Sequence, residues 1–203
     1  HLHIMLAFPN AYYARLEPMG KMDNMENVQN EVKYMMQPEL APPTDPNAAP
    51  MKFGAKDVFD LSWKSLLDAY SCTECGRCSA ACPANQTGKL LSPRKIMMDT
   101  RDRLEEVGRN INSNRKFKDD GKTLLHNYIS TEELRACTTC NACVQECPVS
   151  ISPLSIILEL RRSLVMEESN APQEWNGMFS NIENNFAPWK FSPDDRDKWV
   201  AEM

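Results

Sequence analysis

All eight cysteines of this 203-residue chain fall in two short runs with the same spacing. In each run three cysteines stand three positions apart, and a fourth cysteine follows after three more residues and precedes a proline. The runs contain Cys72, Cys75, Cys78 and Cys82, and then Cys137, Cys140, Cys143 and Cys147. This repeat constrains the fold strongly, because the backbone of each run must turn tightly enough to direct several thiols to one place.

The spacing is typical of proteins that hold two [4Fe–4S] clusters, in which the fourth cysteine of each run ligates the other cluster. Three cysteines at these intervals wrap a loop around one cubic cluster, so the fourth ligand comes from outside the loop. The predicted ligand sets are Cys72, Cys75, Cys78 and Cys147 for the first cluster, and Cys137, Cys140, Cys143 and Cys82 for the second. Each cluster then joins the two halves of the chain, which couples metal binding to folding.

Residues around the cysteines fit such loops. Gly76 and Asn141 follow the second cysteine of each run, and these residue types best tolerate a positive φ. Pro83 and Pro148 fix the backbone after each fourth cysteine. The basic residues that we expect to balance the negative charge of the clusters are Arg77, Lys89, Arg94, Lys95 and Arg135.

Other uses of eight cysteines fit the pattern less well. Disulfides need an oxidising compartment, and cysteines three positions apart are poor partners for one another. Structural zinc sites favour cysteine pairs separated by a longer gap. Free buried cysteines have no reason to repeat in register. The doubled motif therefore favours iron–sulfur clusters.

The charge of the chain argues against nucleic-acid binding. Its formal net charge is −5 and its pI is near 5.3, whereas nucleic-acid binders carry a basic patch or stripe. The charge is also unevenly distributed, with a net of −3 over residues 1–50, +3 over 51–165 and −5 over 166–203. The segment that holds the cysteines is the only basic one.

The pattern of apolar residues predicts an all-α chain, since no stretch alternates with the period of a strand. One amphipathic helix is expected from Val58 to Tyr70, directly before Cys72. A second is expected to begin at Ser92-Pro93 and end at Gly108, followed by a surface loop over residues 109–122. Further helix starts are predicted at Ser130 with a capping box to Glu133, at Ser152-Pro153 and at Ser192-Pro193.

The two halves form an internal repeat: a helix, a four-cysteine loop and a helix that begins with Ser-Pro. The loops are offset by 65 residues, which predicts two pseudo-two-fold-related cluster sites. Four segments are expected along the chain: an N-terminal arm over 1–36, a proline-rich linker over 37–50, the dicluster domain over 51–165 and a helical extension over 166–203. The chain begins with His1 and an apolar stretch to Phe8, which fits either the end of a membrane segment of a longer polypeptide or a surface helix that packs on a partner.

The 54 residues between the runs, 83–136, are predicted to be helical, and the sequence over about residues 51–203 resembles the helical ferredoxin domain of heterodisulfide-reductase-related iron–sulfur oxidoreductases. The segments that carry this resemblance are Leu61–Lys64, Ser71–Cys78, Cys82–Asn85, Gly88–Pro93, Ala136–Cys140, Leu160–Arg162 and Trp175–Trp199. The resemblance implies an alpha-helical ferredoxin that carries electrons. It also implies redox partners, namely a membrane cytochrome-b-like subunit or domain and a cysteine-rich catalytic subunit or domain, and a location at the cytoplasmic face of the inner membrane.

The three histidines have different expected roles. The resemblance makes His1 and His3 candidate haem ligands, whereas His126 is expected to be a packed structural residue. No Ser/His/Asp arrangement, phosphate loop or pair of catalytic carboxylates stands out. The first hypothesis is therefore an electron-transfer module, and the second is a subunit or fragment of an enzyme whose catalytic cysteine-rich repeats are not in this sequence. A structural zinc scaffold is a third.

Overall fold

A computed structural model describes residues 2–19, 21–41, 51–190, 192–195 and 197–201 of the chain. These residues contain no strand, which confirms the all-α fold class. They form eleven α-helices: α1 (Leu2–Tyr12), α2 (Glu26–Met36), α3 (Trp63–Ser71), α4 (Arg77–Ala80), α5 (Pro83–Gln86), α6 (Pro93–Asn114), α7 (Thr131–Ala136), α8 (Ala142–Gln145), α9 (Pro153–Arg162), α10 (Gln173–Asn185) and α11 (Lys198–Ala201).

Shorter helical turns connect some of these helices. They are 3-10 turns at Pro38–Leu40, Val58–Asp60 and Pro193–Asp195, and π-type turns at Leu124–Tyr128 and Ser163–Glu167. Most of the predicted proline-rich linker, residues 42–50, lies outside the described residues, as does His1. By contact, the chain divides into two compact units, His1–Glu167 and Glu168–Met203.

Serine caps begin the helices next to the cysteine loops, as the sequence predicts. The Ser92 hydroxyl accepts the Lys95 N–H at the start of α6, and the Ser152 hydroxyl accepts the Ser155 N–H at the start of α9. At α7 the capping box is complete, because Ser130 and Glu133 each accept a hydrogen bond from the backbone of the other. At Ser192 the expected α-helix is only the single 3-10 turn Pro193–Asp195.

Two predicted helix boundaries are wrong. The expected helix from Val58 to Tyr70 is interrupted, because Ser62 caps the Ser65 N–H and so starts α3 at Trp63. Gly108 does not end α6, which continues to Asn114 and stops where Arg115 adopts a left-handed conformation, φ 61°. The loop expected over residues 109–122 is correspondingly shorter.

The continuation of α6 past Gly108 has a physical reason. A helical glycine costs only about 1 kcal/mol relative to alanine. Val107 is buried directly before it, and Asn110 after it exchanges two hydrogen bonds with the backbone of Lys118. These contacts outweigh the cost of the glycine.

The core of the first unit surrounds α6 and α9, which pack on each other and on the helices that lead to the cysteines. Its fully buried apolar side chains include Leu91, Ile96, Met97, Leu124, Leu125, Ile129, Leu134, Ile151, Ile156, Ile157 and Leu160. Arg103 of α6 is also fully buried, and its guanidinium binds both carboxylate oxygens of Asp57 and of Asp120. Because a buried charge is costly unless it is paired, this network fixes the loops around α6.

Helix α1 packs on α3 through a buried polar cluster. The Lys64 ammonium donates to Asn10 Oδ1 at 2.8 Å and to Asp68 Oδ1 at 2.5 Å. The Asn10 amide in turn donates to the carbonyl oxygen of Val149 at 3.2 Å, in the segment that follows Cys147. Burial raises the pKa of Asp68 despite its Lys64 partner. The N-terminal helix is therefore anchored both to α3 and to the second cysteine run.

The opposite face of α1 is apolar and exposed. Ile4, Met5, Phe8 and Tyr12 expose 60%, 73%, 79% and 83% of their surface, and they follow each other at helical spacing. Among the described residues, no helix combines the length and the apolar character that a bilayer crossing requires.

In the second unit, α10 carries four large apolar side chains on one face. Trp175, Met178, Phe179 and Ile182 lie three or four positions apart on this helix, and each stays at least one-third exposed. Helix α11 follows with Trp199, which is 60% exposed. This unit holds none of the cysteines.

Gly54 marks the closest approach of the backbone to α9, and substitution there tests the packing. A Cβ at Gly54 clashes with the Ser163 backbone nitrogen and with the Glu159 carbonyl oxygen, whereas a Cβ at Gly108 meets nothing within 4 Å. We therefore expect Gly54→Ala to reduce the free energy of unfolding by about 2 kcal/mol or more. Gly108→Ala should instead raise it by about 0.5–1 kcal/mol. Denaturant titration of the iron-loaded variants checks both values, and equal effects would refute this packing.

Candidate metal centres

The first cavity is lined by cysteines from both runs. Three of them, Cys72, Cys75 and Cys78, belong to the first run, and Cys147 is the fourth cysteine of the second run. Cys143 also contributes to the wall of this cavity. The remaining lining is mostly apolar and comprises Thr73, Glu74, Gly76, Arg94, Met97, Val149, Ile151 and Pro153.

The second cavity is built in the same way with the runs exchanged. Cys137, Cys140 and Cys143 of the second run face Cys82, the last cysteine of the first run. Its other lining residues are Leu91, Pro93, Thr138, Asn141, Leu154 and Ile157. Cys143 therefore stands between the two cavities. The structure brings all eight cysteines to these two places, with five of them lining the first cavity and four lining the second.

Matching backbone turns shape the two loops. Each loop begins at the cysteine that ends a helix, Cys72 after α3 and Cys137 after α7. Two residues later the chain takes a left-handed conformation in both loops, at Glu74 and at Thr139, each with φ 56°. Gly76 and Asn141 repeat that conformation, as their residue types predict, and start the short helices α4 and α8.

Backbone amide groups point towards two of the sulfurs, one from within the second loop and one from the segment that follows it. The Thr139 N–H donates to Cys137 Sγ and the Ile151 N–H donates to Cys147 Sγ, both at 3.4 Å. Hydrogen bonds of this kind to cysteine sulfur stabilise the thiolate and help to set the potential of an iron–sulfur centre. The second loop thus positions its sulfurs and supplies one of these donors, and the segment after it supplies the other.

The donor set fits iron–sulfur clusters. Burial raises the pKa of the Cys72, Cys78 and Cys137 thiols, and it raises the pKa of Cys143 to about 12. Buried thiols of high pKa become thiolates only when metal ions compensate the charge. Among the described residues, no three His, Cys, Asp or Glu side chains converge closely enough to hold a single metal ion. The cysteines surround cavities instead.

Ion pairs fix the helix that delivers Cys137. Lys95 of α6 binds Glu133 at 2.8 Å and Asp99 at 2.7 Å, and it also donates to the Tyr128 carbonyl. Burial by itself raises the pKa of Glu133, but Lys95 and Ser130 together hold that pKa below its usual range. The start of α7 is thereby attached to α6.

The basic residues named from the sequence have different positions. Arg94 lines the first cavity with an exposed side chain, and Lys95 is engaged in the ion pairs at α7. Sequence reasoning missed two arginines beside the loops, Arg101 and Arg161. Arg101 binds Glu74 at 2.6 Å, and Arg161 donates to the carbonyl oxygens of Leu134 and Cys137. A positional signal exists, because both stand eight residues after the proline of a Ser-Pro pair.

His126 is not packed as expected. It is exposed and adopts a left-handed conformation, φ 76°, within the turn from Leu124 to Tyr128. Its N–H donates to the Ile129 carbonyl at 2.9 Å, so its backbone closes a tight turn. His3 lies on α1, where it is partly exposed.

Residues 71–151 match the family described as the 4Fe-4S dicluster domain. With the two cavities and eight cysteines, this match defines an iron–sulfur electron-transfer domain whose cofactor is two [4Fe–4S] clusters. The sequence-based predictions of an electron-transfer domain and of two [4Fe–4S] clusters are thereby confirmed.

Three relatives show which proteins the chain is similar to in sequence. It is 28% identical to the "Probable iron-sulfur-binding oxidoreductase FadF" of Bacillus subtilis, over 100% of this chain and 30% of the relative. It is 32% identical to the EtfAB:quinone oxidoreductase of Syntrophomonas wolfei, over 74% of this chain and 24% of the relative. The third relative, one of the polypeptides of a CoB-CoM heterodisulfide reductase of Methanosarcina acetivorans, is 33% identical, over 59% of this chain and 60% of the relative.

The chain is thus homologous to iron–sulfur oxidoreductases and heterodisulfide reductase subunits, as the resemblance of its sequence implies. It spans less than a third of the length of the first two relatives.

Substitution of Gly76 tests the left-handed turn before α4. Asn141 adopts φ 63° at the matching position, so Gly76→Asn should be tolerated with two clusters retained. Gly76→Val should lower the free energy of unfolding by about 1–2 kcal/mol more than Gly76→Asn, because a branched side chain is strained at φ 81°. Iron analysis and thermal unfolding measure both effects. Equal behaviour of the two variants would show that backbone conformation does not limit this loop.

Proposed function

We propose that this chain is an electron-transfer module with crossed cluster ligation. Cys72, Cys75, Cys78 and Cys147 bind one [4Fe–4S] cluster, and Cys137, Cys140, Cys143 and Cys82 bind the other. The main support is that Cys147 of the second run lines the cavity of the first run's cysteines, while Cys82 of the first run lines the cavity of the second run's cysteines. Bound clusters of this type supply one-electron chemistry.

The protein contributes position and insulation. Apolar side chains such as Met97, Ile151, Leu91 and Ile157 line the walls around the cysteines and limit the access of water, although Cys75 and Cys140 are exposed. Cys143 lines both cavities, so only a thin wall separates the two centres. This arrangement favours transfer of an electron from one centre to the other within a single unit.

On one side of the relay we propose a membrane-associated redox partner, of the cytochrome-b-like kind that the resemblance implies. The exposed apolar face of α1 supports this, because Ile4, Met5, Phe8 and Tyr12 present a continuous surface for an apolar partner. The name of the Syntrophomonas wolfei relative includes a quinone, which is an apolar electron carrier. The module then works at the cytoplasmic face of the inner membrane.

On the other side we propose a cysteine-rich catalytic domain or subunit. The likeness to a heterodisulfide reductase polypeptide supports this assignment. The chain itself passes electrons, and the chemistry on the substrate belongs to the partner.

Paired cysteine substitutions test the crossed ligation directly. The wild-type chain should contain about eight irons and eight sulfides, with EPR signals after reduction. Cys72→Ser with Cys147→Ser removes two ligands of one centre, so about four irons should remain. Cys72→Ser with Cys82→Ser removes one ligand from each centre and should leave few irons. Anaerobic iron and sulfide analysis distinguishes these variants.

Ligation of one cluster by each run alone would reverse this result, because Cys72 and Cys82 would then share a centre. Bound zinc, or a colourless wild-type protein, would contradict the proposed function altogether. The two double variants are matched, since each replaces two thiols by hydroxyls.

Polar substitution of the α1 face tests the membrane-side partner. Phe8→Ser with Tyr12→Ser should reduce the fraction of protein that sediments with membranes containing the partner by about tenfold. Met35→Ser with Met36→Ser changes two equally exposed apolar residues on α2 and serves as the control. Equal loss in both variants would indicate nonspecific adhesion, and no loss in the first would remove α1 from the interface.

A further inference from the structure

Two arginines occupy equivalent positions in the two halves of the repeat. Arg101 stands eight residues after Pro93 on α6, and Arg161 stands eight residues after Pro153 on α9. Arg101 lies beside the first cysteine loop, and Arg161 lies beside the second. Their surroundings nevertheless differ in charge, and the difference bears on the two centres.

Arg161 is a cation without a carboxylate partner among the described residues. Its Nε and Nη2 donate to the Leu134 carbonyl oxygen at 2.9 and 2.5 Å, and Nη2 also donates to the Cys137 carbonyl oxygen. The side chain is only partly exposed, and burial lowers the pKa of its guanidinium. Carbonyl oxygens orient the cation but do not neutralise it. A positive charge is therefore fixed directly behind Cys137.

Arg101 is neutralised at the corresponding place. Its Nη1 binds Glu74 Oε1 at 2.6 Å, and Glu74 lies two residues after Cys72. The residue that corresponds to Glu74 in the second loop is Thr139, which carries no charge and has the same φ of 56°. The first loop thus carries an anion at this position and the second loop does not.

We propose that Arg161 is a positioning residue that raises the reduction potential of the second centre, whereas the Arg101–Glu74 pair leaves the potential of the first centre nearly unchanged. This rests on the proposed function. A nearby positive charge stabilises the state that carries one more electron, and its effect grows when solvent is excluded. One electron is gained at one centre for each electron lost at the other, and no proton moves.

Arg161 and the Arg101–Glu74 pair each contribute one part of the reduction potential of the nearby centre. Arg94 lines the first cavity where the matching residue of the second is Leu154. Because Arg94 is exposed, solvent screens its charge more strongly than that of Arg161. The charge of Arg94 stays constant in all the variants below and does not affect the comparison.

EPR-monitored redox titration of the full iron-loaded chain tests the proposal, with dithionite as reductant. Arg161→Gln should lower one of the two midpoints so that the ratio of reduced to oxidised centre falls about tenfold at a fixed potential, which is 59 mV for one electron. Glu74→Gln combined with Arg101→Gln removes both charges of the pair. At a fixed potential, the ratio of reduced to oxidised centre should then change by no more than about threefold for either centre.

A second variant neutralises Arg161 without breaking its hydrogen bonds. Thr139→Glu copies the arrangement of the first loop and should lower the same midpoint as Arg161→Gln. The reciprocal Glu74→Thr should raise the other midpoint. Arg161→Lys keeps the charge and should restore most of the wild-type value. If Arg161→Gln fails to assemble its cluster, Thr139→Glu and Glu74→Thr decide the question.

Unchanged midpoints in Arg161→Gln or in Thr139→Glu would overturn the proposal. So would a shift in the Glu74→Gln, Arg101→Gln double variant as large as that in Arg161→Gln. An Arg161→Lys variant that behaves like Arg161→Gln would show that the hydrogen bonds matter and the charge does not. Failure of the proposed function looks different, because the wild-type chain would then lack iron–sulfur EPR signals.

Discussion

Eight thiols packed around two largely apolar cavities are the feature on which the rest of this fold depends. An apolar cavity disfavours a thiolate, and the raised pKa of Cys143, about 12, expresses that cost. Only metal ions that share the charge make four thiolates in such a space stable. Metal loading and folding of this unit are therefore one thermodynamic process, and the surrounding helices exist to bring cysteines together from positions up to 75 residues apart.

The same arrangement of helices and turns brings the cysteines together in both halves of the repeat. A short helix ends at the first cysteine, two left-handed residues bend the chain, and a single helical turn presents the third cysteine. The structure shows this sequence at α3 and α4 and again at α7 and α8. A serine-capped helix then covers each loop, and these two covering helices, α6 and α9, pack on each other in the core.

Much of this could be predicted from the sequence, because the relevant signals are local. Caps at Ser92, Ser130 and Ser152 and the left-handed turns at Gly76 and Asn141 each depend on residues within a few positions. The end of α6 was not predictable, since contacts on both sides of Gly108 outweigh its weak preference to stop the helix. Contacts between segments that are distant in the chain have no comparable local signal in the sequence. The burial of Arg103 depends on Asp57, 46 positions earlier, and on Asp120, 17 positions later.

The polar residues that sequence reasoning missed all attach a neighbouring element to a cysteine loop or a core helix. Asn10 joins α1 to the segment after Cys147, and Arg161 joins α9 to the carbonyl of Cys137. A loop that binds a cluster has few apolar side chains of its own, since cysteine, glycine, threonine and alanine dominate it. Hydrogen bonds to its backbone carbonyls are then the available means of holding it, and each such bond brings a polar or charged group close to the sulfurs. The interactions that hold the loops therefore also contribute to the electrostatic surroundings of the sulfurs.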